Sequence, residues 1–165
     1  MVRPARPSPG GTLPKPSIFK MIQVKRIDHV AIALPALAPG IATFQNLFSL
    51  QIGSRESVAA QKTDVCFLHT GSPDDDATAI ELISPNGNES LQRFVDKRGQ
   101  AMHHICLEVE DLAGALHELA AAGVELIDKT PRPGARGHQV AFIHPRSTGG
   151  VLFELCQTSH AETAK

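Results

Sequence analysis

Met102-His103-His104-Ile105-Cys106-Leu107 repeats the pattern of Ile27-Asp28-His29-Val30-Ala31-Ile32: apolar, polar, histidine, then an apolar run. The match continues downstream at the same offset, with Leu37 opposite Leu112 and Ile41 opposite Leu116. Repetition at a fixed spacing marks a duplicated structural unit. In each copy a strand-like run gives way to helical spacing. The first helix is predicted to carry Leu37, Ile41, Phe44 and Phe48, and the second Leu112, Leu116 and Leu119 before a capping Gly123.

Each copy then closes on a strand holding one acid among apolar residues, Ala79-Ile80-Glu81-Leu82-Ile83 and Val151-Leu152-Phe153-Glu154-Leu155. Further strand candidates are 64–70 in the first copy, and 125–128 and 139–144 in the second. Each copy therefore reads as strand, helix, then two or three strands. The segment between them opens on the turn-rich Ser84-Pro85-Asn86-Gly87-Asn88 and is expected to include a short helix over 89–97, with Leu91, Phe94 and Val95 inward. We place module one at about 22–84, the connecting helix at about 85–101 and module two at about 102–157, within one domain over 21–160.

Composition bounds the function. The 165 residues are 42% hydrophobic but hold no Trp or Tyr and 7 Phe, so Val, Ile, Leu and Ala must build the core. Sixteen basic against seventeen acidic residues leave a net charge of −1, with no field for nucleic acid. No apolar run is long enough to span a bilayer. Cys66, Cys106 and Cys156 are too few and scattered for a disulfide framework, which favours a reducing compartment.

Residues 1–20 stand apart, with Pro4, Pro7, Pro9, Pro14 and Pro16 and four basic residues without an acid. Lack of acids is one feature of a mitochondrial transit peptide, but the prolines oppose the helix such a peptide needs. A disordered extension, or Met21 as the true first residue, is the alternative. The expected location is the cytoplasm for a bacterial protein and the mitochondrial matrix for a eukaryotic one.

Alternate side chains of a strand share a face. Two such modules paired about a pseudo-twofold axis would bring His29, Glu81, His104 and Glu154 to one central cavity. Two imidazoles and two carboxylates suit Co²⁺, Zn²⁺, Ni²⁺, Mn²⁺ or Fe²⁺ with positions left open for a substrate. A single strand histidine or glutamate means little. The same two residue types at matched places in both copies mean a great deal more. His103 is read as structural on the opposite strand face, His144 as shaping a turn, and His69 is not expected to be a ligand. His117, His138 and His160 have no partner that singles them out.

Asp28-His29-Val30-Ala31-Ile32, the 102–109 run Met-His-His-Ile-Cys-Leu-Glu-Val, and the 144–155 run His-Pro-Arg-Ser-Thr-Gly-Gly-Val-Leu-Phe-Glu-Leu resemble signatures of the methylmalonyl-CoA epimerases. These belong to the vicinal oxygen chelate superfamily, with glyoxalase I, extradiol dioxygenases and fosfomycin-resistance proteins. The resemblance covers about Ile22 to Gln157. It implies an α+β fold of two paired βαβββ modules forming an incomplete barrel around a divalent metal, often cobalt. It also implies an acyl-CoA substrate, epimerisation at C2 of methylmalonyl-CoA, a homodimer, and His29, Glu81, His104 and Glu154 as ligands, position 81 being Gln in some members.

Epimerisation needs a proton taken from one face of C2 and returned to the other. Some members carry Glu in the strand after the first helix, where alignment here puts Val65, beside Asp64 on the other face. Asp64 serves only if that strand slips by one residue. The other base candidates are Glu108, on the His104 face, and a metal-bound carboxylate such as Glu154, or a bound water. Arg136 and Gly137, in the basic loop 134–138, are candidates for the CoA phosphates or the substrate carboxylate, and Lys97 and Arg98 for the CoA tail. A glyoxalase I-like lyase is the runner-up. A metal-free binding module is the third reading, opposed by the presence of all four ligand residues.

Overall fold

The structure, a computed structural model, describes residues 22–71 and 77–158. Expectations for residues 1–20 and for His160 lie outside them. Chain order is β1 (Val24–Ala33), α1 (Leu37–Phe48), β2 (Gln51–Val58), β3 (Thr63–His69), β4 (Ala79–Pro85), α2 (Glu89–Arg98), β5 (Ala101–Val109), α3 (Leu112–Ala121), β6 (Arg132–Pro133), β7 (Gln139–Ile143) and β8 (Phe153–Gln157). Each copy is thus strand, helix and three strands, with α2 between the copies. No helix among the described residues is long and apolar enough to cross a membrane.

All eight strands join one sheet in the order β2-β3-β4-β1-β5-β8-β7-β6. Each copy contributes four neighbouring strands, and the halves meet where β1 pairs antiparallel with β5. β1 pairs parallel with β4, as β5 does with β8, and the remaining pairs are antiparallel. The sheet curls into an incomplete barrel. The core forms where α1 and α3 bury Leu37, Ile41, Leu112 and Leu116 against strand residues such as Leu68, Leu82, Ala141 and Leu155.

Local chemistry sets the helix limits. Asn88 accepts from the Leu91 amide to start α2, and Asp111 from the Gly114 amide to start α3. Gly99 ends α2 at φ 66°, a conformation suited to glycine. Phe44 packs on the core, whereas Phe48, predicted to face inward, is exposed at the last turn of α1.

One strand expectation needs correction, and β2 is a strand that no expectation covers. Segment 125–128 is not a strand: Leu126 makes one isolated bridge to Ile143, and the Ile127 and Asp128 amides share the Phe142 carbonyl. The Asp128 carboxylate accepts from the Phe142 amide, so a side chain takes the place of the next ladder bond. The short β6, bounded by prolines, pairs with β7 instead.

Candidate metal centre

The barrel's inner face is built from two rows of residues that the pseudo-twofold axis exchanges. Ala31 on β1 lies between Glu81 on β4 and His104 on β5, with Phe67 on β3 beyond Glu81. Cys106 on β5 lies between His29 on β1 and Glu154 on β8, with Phe142 on β7 beyond Glu154. Small Ala31 and Cys106 at the centre leave room for the four longer chains to lean together. The flanking phenyl rings meet the imidazoles edge-on in matching fashion, Phe67 with His29 at 5.3 Å between centroids and Phe142 with His104 at 5.2 Å.

The four side chains converge. His29 Nε2 is 3.2 Å from His104 Nε2 and 3.3 Å from Glu81 Oε2. His104 Nε2 is 3.6 Å from Glu81 Oε2 and 3.3 Å from Glu154 Oε2. All four residues are at most 5% exposed. Bonds of about 2.0–2.2 Å from one metal ion to imidazole nitrogen and carboxylate oxygen put adjacent donors about 2.9–3.4 Å apart, close to the separations found.

Electrostatics agree with that fit. Burial works against a charged His29, but Glu81 and the Asp28 hydrogen bond outweigh it and raise its pKa to about 10. Burial, with the His29 and His103 rings, pushes His104 well below the ordinary histidine value. Burial also pushes Glu154 up to about 8, against the pull of His29. A carboxylate as deep as Glu154 takes up a proton unless a cation compensates it, whereas burial leaves His104 neutral, the form that ligates a metal. The donor set and its burial suit a divalent ion.

Each imidazole is held from behind. His29 Nδ1 lies 2.7 Å from Asp28 Oδ2, and His104 Nδ1 lies 2.9 Å from His103 Nδ1. A partner on Nδ1 fixes the tautomer and frees Nε2 for a ligand bond. His103, read from the sequence as structural, touches the His104 ring. It also packs edge-on against Phe94. The repeat itself carried this signal, since Asp28 and His103 are equivalent positions, each just before a ligand candidate.

Asp28, 1% exposed, also takes Arg26 Nη2 at 2.8 Å and a short hydrogen bond from Arg136 Nη2. Burial pushes its carboxyl up, and His29 and Arg136 hold it well below the ordinary carboxylate range.

Two base candidates stand elsewhere. Asp64 accepts from Ser57 in a short hydrogen bond and from Asn86 Nδ2 at 3.0 Å on the outer side of β3, with no register slip, and Val65 packs in the core. Glu108 keeps the strand parity of His104 but lies further along β5, held by Lys25 Nζ and Arg26 Nε at 2.7 Å each and by Thr158 Oγ1. Burial pushes Glu108 up, but these cations lower it below the ordinary value of 4.5. A depressed carboxyl stabilises the fold above its unfolded pKa, and the contribution fades as pH falls through the folded value. Glu108→Gln is expected to cost about 1–2 kcal/mol at pH 7. In denaturant titrations the gap from the unsubstituted protein should close below about pH 4. A gap unchanged at acid pH would show that the ion pairs contribute nothing.

Arg136 sits at the rim of the centre, with Gly137 next to it in the same short 3₁₀ turn. A cavity of about 10 Å³, room for one water, lies among His29, Glu81, Glu154, Arg136 and His138. His138, passed over in the sequence, shares it with Cys156, whose thiol pKa falls to about 6 because hydrogen bonds from Cys106 and then His138 outweigh burial. A larger cleft of about 340 Å³ opens on the other side of Glu81, beside Gln61, His103 and Arg132. Lys97 and Arg98 end α2, and Arg98 lies over the Phe94 ring. His144 caps a short 3₁₀ turn by accepting from the Arg146 amide, as expected of a turn residue.

A duplicated βαβββ sheet curled around two histidines and two glutamates defines a family. The chain belongs to the glyoxalase/bleomycin resistance protein/dioxygenase superfamily, whose family model matches residues 28–142. Within it, the chain is 38% identical over 141 residues to the mitochondrial methylmalonyl-CoA epimerase of Dictyostelium discoideum, covering 84% of this chain and 82% of that one. It is 34% identical over 137 residues to the ethylmalonyl-CoA/methylmalonyl-CoA epimerase of Cereibacter sphaeroides, covering 81% and 98%. Among solved structures, a methylmalonyl-CoA epimerase in complex with methylmalonyl-CoA and NH4+ superposes with a TM-score of 0.78 at 25% identity, over 85% of this chain and 99% of that one.

Proposed function

We propose that this protein is an isomerase that interconverts (2R)- and (2S)-methylmalonyl-CoA. The observation that carries the reading is the convergence of His29, Glu81, His104 and Glu154 at the centre of the barrel, in a chain akin to epimerases of that substrate.

The hydrogen at C2 lies between a thioester and a carboxylate, so removing it leaves negative charge spread onto the thioester oxygen. His29, Glu81, His104 and Glu154 would hold a divalent ion, Co²⁺ by preference with Zn²⁺, Ni²⁺ and Mn²⁺ also suited, which supplies Lewis acidity to that oxygen. Asp28 and His103 keep the two imidazoles turned so that Nε2 faces inward. Of the base candidates, Glu154 is the carboxylate that lies at the centre and would take the proton on one face of C2, while a bound water, the remaining candidate, would return a proton on the opposite face. The apolar walls of the cleft, Ile83, Leu91 and Phe142 among them, keep bulk water from the carbanion.

Deuterium exchange tests this directly. Incubated with (2S)- or (2R)-methylmalonyl-CoA in deuterated water, the metal-loaded protein should wash deuterium into C2 and equalise the two epimers. A glyoxalase-like lyase would leave C2 untouched, and that result would overturn the reading.

A further inference from the structure

Arg136 is strained, half-buried and incompletely satisfied, and those three facts point to a ligand. Its backbone sits at φ 55°, in the left-handed region that a non-glycine residue adopts at a cost, while the next residue, Gly137, takes such a φ freely. Such strain persists where surrounding contacts impose it, and it concentrates at binding sites. Here the Glu56 carboxylate accepts from the Arg136 amide at 2.8 Å and pins the loop to β2. The turn aims the side chain inward, where the guanidinium lies over the Phe67 ring at 4.0 Å and donates Nη2 to Asp28.

One donor stays unmatched. Nε of Arg136 is buried without a hydrogen-bond partner, an arrangement that costs stability unless something else fills the place. The residue lines the same cavity as His29, Glu81 and Glu154. Glu81 and Gln61 border both that cavity and the larger cleft, so the space under the guanidinium adjoins the cleft.

We infer that Arg136 anchors the free carboxylate of the acyl group, and so makes the protein selective for malonyl-type thioesters over simple acyl thioesters. The inference rests on the proposed function and names the side chain that reads the substrate. A planar guanidinium fork matches a carboxylate. A CoA phosphate suits the position less well: only 23% of the side chain is exposed, and beside Asp28, Glu56 and Glu81 a bulkier, doubly charged phosphate is repelled more than a singly charged carboxylate.

Malonyl-CoA and acetyl-CoA differ only by that carboxylate, so their affinities for the metal-loaded, full-length protein isolate its recognition. By calorimetry the unsubstituted protein should favour malonyl-CoA by tenfold or more. In Arg136→Gln that preference should fall about tenfold while acetyl-CoA binding stays unchanged, since a charge-assisted hydrogen bond is worth about that factor. Arg136→Lys, which keeps the charge and loses the fork, should fall between. Arg136→Gly relieves the backbone strain, so it tests the same point in a chain free of that burden. A preference undiminished in both the Gln and Gly variants, or an equal loss for both ligands, overturns the role of Arg136. Lack of any preference in the unsubstituted protein would instead overturn the malonyl-type reading of the function.

Discussion

His104→Ala should abolish metal-dependent exchange at C2 while leaving a folded protein. His104 Nε2 is the hub of the centre, within 3.2–3.6 Å of His29, Glu81 and Glu154. Alanine removes one of two nitrogen donors and leaves the His103 Nδ1 contact without its partner. Lewis-acid stabilisation is worth several kcal/mol, so turnover should drop by roughly 1,000-fold or more. The fold should survive because a second imidazole remains, and because removing a buried polar ring relieves its desolvation cost as well as losing its contacts. Exchange rate, metal stoichiometry and circular dichroism on one sample separate these effects. Normal activity in the variant would mean that the four side chains are not the ligands.

Asp28→Ala is expected to do the most damage to stability. The Asp28 carboxylate, 1% exposed, is shared by Arg26, Arg136 and His29. Removing one partner of a buried ionic cluster costs about 3–5 kcal/mol, because the charges left behind have no counterpart. For a chain of this size that corresponds to a fall of about 10–15 °C in Tm. Metal affinity should fall as well, since His29 loses the acceptor that fixes its tautomer; loss of such an outer partner typically costs about 10- to 100-fold. Asp28→Asn, which keeps the shape and loses the charge, should lie between. A loss below about 1 kcal/mol would show that the arginines find other partners and that Asp28 is not the keystone drawn here.

The duplicated His and Glu positions, α1 and α3 were legible because apolar spacing and residue type recur in register, and α2 because Leu91, Phe94 and Val95 fall at helical spacing. β2 was not. Gln51-Ile52-Gly53-Ser54-Arg55-Glu56-Ser57-Val58 sits at the sheet edge with most of its side chains exposed, so no burial imposes an alternating pattern on it. Gly53 there makes way for His69, whose Nε2 would lie 2.6 Å from an added Cβ, a constraint that only the fold reveals. Alternation correctly put Glu108 on the His104 face, yet parity says nothing of distance along a strand or of which cations wait there. Lys25 and Arg26 capture it first. Arg136 illustrates the opposite case: a basic loop suggested an anion, but its inward aim depends on one left-handed residue that no spacing rule foresees.

The most direct test is a crystal structure of the protein with added Co²⁺, using anomalous scattering at the cobalt edge. One strong peak should appear between His29 Nε2 and His104 Nε2, at about 2.0–2.2 Å from both and from a carboxylate oxygen each of Glu81 and Glu154. A peak elsewhere, or none with the four side chains still in place, would contradict the account at its root.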